Sequence, residues 1–435
     1  MLELLGIIVL LGFIAFSIGL HEVGHMLPAK KFGIKVPDYS IGMGPSILRW
    51  RRGETTYNIR LLPIGGFVRL VGMFPPTRAD DVRRPGRLAE MMRTAREDSN
   101  SEVLPGEEHR TFYSKSVPQR LVIMLGGPLM NLVIAFVLFT VILVGIGLPQ
   151  TATQIGSVIA CVPSESDPSG KGTIEGCGDG GATPAAALGL KAGDTLVALN
   201  GRAIGQWSDI ASALAGVPAG TSVAVSIRDS DSNVRATTVE LADLAYPELD
   251  ETGAPTGVTL HRAFLGITPG TTWVQQPISV VPGAMWNMTQ RSVEALASFP
   301  AALLELGGNL FSTAERNPEG PISVVGVTRL SGEIAASDLS LRSKALEILG
   351  LAASLNLFLF LFNLLPVLPL DGGHAAAATF EGVRRRINRW RHRRDPGPID
   401  TAKLLPLTYV MTAILLVSGL VVIVADIIKP IALQF

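Results

Sequence analysis

The sequence predicts a polytopic α-helical membrane protein with four transmembrane helices, a membrane-associated β-sheet and one extracytoplasmic α+β domain. Three observations predict it. Of 435 residues, 47% are hydrophobic and only 17% charged, a balance too apolar for an ordinary soluble chain. Four apolar stretches, Leu2 to His25, Leu121 to Leu148, Ile348 to Leu370 and Leu404 to Ile427, each reach the ~20 residues that a hydrocarbon core of ~30 Å requires. Basic residues collect in the loops after the first and third stretches. The formal net charge is zero, so the total charge points to no nucleic acid.

The first stretch lacks a basic start and has no small-residue cleavage pattern before His21, so residues 1–26 read as a retained helix rather than a signal peptide. Residues 27–120 form a loop with about sixteen Lys and Arg, and residues 384–403 a loop with about eight. The stretch between the second and third spans, up to Arg262, carries about thirteen acidic residues against about six basic ones. The positive-inside rule then sets both basic loops in the cytoplasm, and the outer domain and both termini outside. The Arg384–Arg394 run lies beside the membrane, where an orientation signal explains it better than nucleic acid does.

The second span is residues 121–148, the third 346–383 and the fourth 404–428. Glu54 to Leu70 is β-rich, with Gly65-Gly66 read as its turn. A free strand edge there could take an extended peptide by strand addition, and Ile59, Gly65 and Gly66 are its candidate contacts. Pro75 to Glu108 is charged and turn-rich and is expected to be flexible. Residues 271–345, where Trp273, Trp286 and Phe299 alternate with Arg291, Glu294 and Glu305, read as an amphipathic helical connector.

The chemistry sits at two span ends. His21-Glu22-Val23-Gly24-His25 closes the first span. Residues four apart lie one above the other on a helix, so both imidazoles can share one metal, with Glu22 beside them as a proton acceptor. Ionisable groups at the end of an apolar run cost about 2–3 kcal/mol each unless paired or functional. A catalytic zinc usually has three protein ligands and one open position. The third ligand is expected from Asn363 to His374, where two prolines and two glycines break the third span. Asp371 is the candidate, with His374 the competing one. At ~1.5 Å per residue, His21, His25 and Asp371 all arrive ~30–35 Å from the outer surface, at the cytoplasmic side.

Together with Gly127-Pro128-Leu129-Met130-Asn131 in the second span, these motifs make the chain resemble the bacterial site-2 proteases of the regulator-of-sigma-E protease type. The resemblance spans most of the chain. It implies one zinc held by His21, His25 and Asp371, with Glu22 as general base and acid and Asn363 against substrate backbone. It also implies single-pass membrane substrates such as anti-sigma factors, trimmed first by an upstream site-1 protease, in a bacterial inner membrane. From the residues alone, the Gly127–Asn131 segment carries no chemistry; its glycine and proline allow close helix packing and Asn131 could bond across helices. A membrane metal transporter using the same four residues is the alternative, but no repeated halves support it. An inactive scaffold is the other, and the intact motif argues against it.

Residues 153–270 alternate short strands with a helix. Ala185 to Gly201, a short helix, a Gly-Asp turn and a strand ending in Asn-Gly, resembles a PDZ domain. Phe264, Leu265, Gly266 and Ile267 resemble its carboxylate-binding loop, coming last in a permuted order. Such a groove could bind free C-termini or act as a size filter against bulky outer domains. Cys161 and Cys177 fall in this domain. A disulfide between them would close a loop worth ~3 kcal/mol; two free thiols are the alternative.

Overall fold

The computed structural model describes residues 1–76, 86–163, 177, 181–249, 255–312, 316–318, 320–395 and 397–431. It divides into one unit made of Met1–Ile146 with Pro277–Phe435, and a second of Gly147–Gln276. The chain opens on α1 (Leu2–Lys31), apolar nearly all round as a helix in lipid must be. It ends on Lys30 and Lys31, cations at the negative end of the helix dipole. Gly33, at φ 74°, then turns the chain out of the helix.

β1 (Asp38–Arg52) and β2 (Thr55–Val68) form a two-stranded antiparallel sheet where the sequence predicts β-structure after the first span. Both strands bend sharply. Gly42 and Gly44, at φ 85° and 87°, take left-handed conformations that let β1 fold back on itself. Ser46–Arg52 pairs with Arg60 back to Thr55, Tyr39–Ile41 lies beside Tyr57–Ile59, and Tyr39–Ile41 also pairs with Val68 back to Gly66. Two expectations are corrected here. The turn is not at Gly65-Gly66 but at Gly53-Glu54, where Gly53 has φ 63°; Gly65 and Gly66 lie within β2. Ile59 faces Leu48 on one side and Ile41 on the other, so both its edges are taken and it cannot receive an added strand.

α2 (Arg87–Asn100) corrects a third expectation. Much of the stretch expected to be flexible is a helix rich in Leu, Ala, Met, Glu and Arg, all good helix formers. It is anchored by the buried Arg96, which pairs with Asp400. Residues 77–85 of that stretch lie outside the described residues. α3 (Val117–Thr140) starts at a Ser116/Gln119 capping box and continues as a π-helical turn over Val141–Ile146.

In the second unit, β3 (Leu148–Val158), α4 (Pro184–Ala187), β4 (Thr195–Leu199), β5 (Arg202–Ala203), α5 (Trp207–Leu214), β6 (Ser222–Arg228) and β7 (Val234–Glu240) are followed by a two-stranded ribbon, β8 (Ala242–Leu249) with β9 (Pro255–Phe264), and by β10 (Ile267–Val274). The main sheet runs β10-β3-β4-β6-β7, with β5 beside β4. Val223, Val225 and Ile227 alternate inward along β6 and meet Leu196, Leu199 and Leu265 in the core. Asn200 and Gly201, at φ 50° and 76°, make the tight turn that Asn-Gly forms between paired strands. Cys161 and Cys177 are joined in a disulfide.

The chain returns to the first unit with α6 (Val281–Asn309), α7 (Val324–Ala336), α8 (Leu341–Asn363), α9 (Asp371–Trp390) and α10 (Leu405–Ile428). Among the described residues, four helices are long and apolar enough to cross a membrane: Leu2–Lys31, Val117–Ile146, Leu341–Asn363 and Thr401–Ile428. Buried charges tie helix ends together. Glu381 of α9 takes Arg120 of α3 and the Ile399 amide, while Asp426 of α10 takes Arg316 at 2.6 Å.

Candidate metal centre

Three elements meet at the last three turns of α1. His21 and His25 lie one turn apart on one face, their rings edge to face with centroids 4.9 Å apart. Asp371 comes from the far end of the chain, as the first residue of α9. The break Leu364–Leu370 delivers it, and its fold needs glycine: a Cβ on Gly373 would stand 2.6 Å from the Leu368 nitrogen, and one on Gly372 would overlap the Leu364 and Leu365 carbonyls. The donor atoms then form a near-equilateral triangle. His21 Nε2 and His25 Nε2 are 3.2 Å apart, and each lies 3.3 Å from Asp371 Oδ2. Ligands about 2.0–2.1 Å from a tetrahedral zinc stand about 3.3–3.4 Å from one another, so the triangle fits one face of such a site. His374, one turn along α9, is not part of the triangle.

The imidazoles are oriented from behind. His25 Nδ1–H donates to the Ile123 carbonyl of α3 at 2.7 Å, which leaves Nε2 bare for a metal. His21 Nδ1 lies 3.2 Å from the side-chain amide of Asn131, further along α3. The two helices cross backbone on backbone. A Cβ on Gly24 would run into the Gly126 carbonyl, and one on Gly126 into the carbonyl of Gly24. Next to that crossing, a Cβ on Gly127 would overlap His25 Nε2 and stand 2.7 Å from His21 Nε2. Gly127 is therefore the floor of the donor triangle.

Glu22 is 9% exposed and faces the sheet. The Val68 amide donates to its carboxylate, and a Cβ on Gly66 would come 3.2 Å from its Cγ and 2.8 Å from Ile18. Tyr39 of β1 donates to the Gly19 carbonyl at 2.8 Å. Its phenol is pushed up to about 12, first by burial and then by the charge of Glu22, so it stays a neutral donor that pins the sheet to α1. Asn363 closes α8 at the head of the break, and its side chain makes no hydrogen bond to another described residue.

Sequence reasoning therefore finds His21, Glu22, His25 and Asp371, which converge, and misses Gly127 and Asn131 as neighbours of the donor triangle. The available signal is their four-residue spacing, which sets both on one face of α3. In the second unit, Phe264, Leu265, Gly266 and Ile267 face α5 across a cleft of about 490 Å³ that Trp207, Ile210 and Leu214 also line. Gly266 has φ 85°, and a Cβ there would overlap Thr183, which fixes this loop against α4.

The model of peptidase family M50 matches residues 8–394. The chain is 30% identical over 443 residues to the zinc metalloprotease Rip1 of Mycobacterium tuberculosis, covering 100% of both chains. It is 28% identical to the metalloprotease MmpA of Caulobacter vibrioides, over 88% of each chain. It is 26% identical to the regulator of sigma-W protease RasP of Bacillus subtilis, over 88% of this chain and 90% of that one. A match running from α1 to beyond Asp371, together with full-length similarity to a zinc metalloprotease, means that this chain belongs to peptidase family M50, the site-2 protease family of zinc metallopeptidases.

Proposed function

We propose that the chain hydrolyses a peptide bond within or near the transmembrane segment of single-pass membrane proteins, with His21, His25 and Asp371 holding one zinc and Glu22 moving the protons. The observation that carries this reading is the triangle of two imidazole nitrogens and a carboxylate oxygen, with sides of 3.2–3.3 Å, flanked by a nearly buried carboxylate. When bound, zinc supplies Lewis acidity for a scissile carbonyl and for water. Glu22 accepts a proton from the attacking water as the C–O bond forms and then passes it to the amide nitrogen, which leaves as the C–N bond breaks. The Val68 amide fixes the Glu22 carboxylate for that exchange.

A helical substrate hides its peptide bonds in internal hydrogen bonds, so it has to be drawn out before cleavage. The outer edge of Gly66–Val68 is suited to receive the extended segment, because it has no strand partner among the described residues and adjoins Glu22. A substrate strand added there would pass the scissile site, with Gly65 and Gly66 beneath it; Asn363 is a further backbone contact in this reading. The test is disulfide crosslinking of Phe67→Cys to single-cysteine substrates in the Glu22→Gln background. Crosslinks at every second substrate residue are expected, and crosslinks at helical spacing would sink the strand-addition idea.

On this reading the enzyme lies in a bacterial inner membrane, with its active site near the cytoplasmic side and both termini and the outer unit outside. The outer unit acts as a PDZ-like size filter over its Phe264–Ile267 cleft, so an upstream protease must trim the substrate first. Anti-sigma factors are the substrate class, in keeping with a relative named for sigma-W regulation. The deciding experiment uses purified protein in vesicles with a single-pass substrate, either trimmed or still carrying a folded outer domain. The trimmed form is expected to be cut, chelation to stop cleavage and zinc to restore it. Zinc flux across the vesicles without cleavage would replace the protease by a transporter.

A further inference from the structure

Asn131 is 2% exposed, on the face of α3 that looks at the metal ligands. Its Nδ2 stands 3.2 Å from His21 Nδ1, while its Oδ1 is buried with no hydrogen-bond partner among the described residues. That arrangement is inconsistent with a metal ligand. An amide N–H donating to Nδ1 requires Nδ1 to be bare, which puts the ring proton on Nε2, the atom that belongs to the donor triangle. The two ends of a carboxamide are nearly equal in size and are assigned by hydrogen-bond logic. Rotating the amide by half a turn gives Oδ1 a donor in His21 Nδ1–H and leaves Nε2 free for a metal, while the NH2 group moves to the position that Oδ1 held.

We infer that Asn131 is the positioning residue for His21: its amide oxygen accepts from His21 Nδ1–H and holds the ring in its metal-binding tautomer. The inference rests on His21 being a zinc ligand. His25 has the same support in a different form, from the Ile123 carbonyl. Thus α3, which supplies no ligand, sets the tautomer of both imidazoles, one by its backbone and one by a side chain. Removal of such a partner typically weakens metal binding by about 10–100-fold.

The test is zinc affinity of the purified full-length protein by chelator competition, read without substrate. Asn131→Leu, close in size but without an acceptor, is expected to bind zinc about 10–100-fold more weakly. Asn131→Asp, which keeps an acceptor at the same place, is expected to stay within a few-fold of the wild type. If Asn131→Leu fails to assemble, Asn131→Ala supplies the same comparison. Wild-type affinity in the variants lacking an acceptor overturns the inference. Equal weakening in Asn131→Asp and Asn131→Leu overturns it as well, because it marks a packing role alone. A wild type without zinc would instead bring down the ligand assignment beneath it.

Discussion

Gly127→Ala is expected to yield a folded chain that no longer holds zinc. The added methyl would overlap His25 Nε2 and stand 2.7 Å from His21 Nε2, so it would occupy the space in which the two donors converge. Neither ring can retreat easily. His25 is held from behind by the Ile123 carbonyl at 2.7 Å, and His21 is backed by Asn131. A shift of α3 away from α1 would undo the close packing of Gly126 on Gly24 and draw the Ile123 carbonyl and Asn131 off the two imidazoles. One methyl thus has to displace at least one donor of a three-donor site. Loss of a partner to a ligand already costs about 10–100-fold in affinity, and loss of a ligand costs more. Zinc content by mass spectrometry after gel filtration reads the outcome. One zinc per chain in Gly127→Ala would mean that the donors lie elsewhere. Proteolytic activity should fall with zinc content, and added zinc should not restore it.

Glu22→Gln is expected to keep one zinc and lose cleavage by at least about 10²–10⁴-fold, the usual contribution of a positioned general base. The amide is nearly isosteric, can still accept from the Val68 N–H, and leaves the three donors untouched. It cannot take a proton from water. The two variants therefore separate metal binding from proton transfer: Gly127→Ala loses both metal and turnover, whereas Glu22→Gln loses turnover alone. Parallel zinc and cleavage assays on the purified proteins distinguish them. Wild-type cleavage by Glu22→Gln would exclude Glu22 as the base.

The candidate donors are legible in the sequence because their signal is local. Four-residue spacing on a helix needs no knowledge of its surroundings, and Pro-Gly punctuation announces a break wherever it falls. The surrounding support is not legible, for a physical reason in each case. The roles of Gly127 and Asn131 depend on which face of α3 meets α1, and two all-apolar helices carry no periodic stripe from which to read it. β1 is hidden because Gly42, Gly44 and Pro45 resemble a loop, whereas in the fold they bend a strand. Ile59 reads as a free edge only while the strand covering it, led by Tyr39–Ile41, goes unseen. The helix Arg87–Asn100 is masked by its charge; its partner Asp400 lies some three hundred residues away.

The donor triangle draws on both ends of the polypeptide, with two atoms from the first helix and one from the helix that follows the third span. In the disassembled chain Asp371 is far from the two imidazoles, so on the proposed ligand set zinc would bind the assembled form more tightly than the disassembled one. Such a ligand stabilises assembly by RT ln(1 + [L]/Kd), about 4 kcal/mol at a thousandfold excess over Kd. An ion held there would be a clasp as well as a reagent. It holds the first helix to the third-span break against lateral separation in lipid, where no hydrophobic force presses helices together. On that ligand set, assembly of these helices is expected to follow zinc supply, and zinc depletion to loosen their fit as well as stop the chemistry.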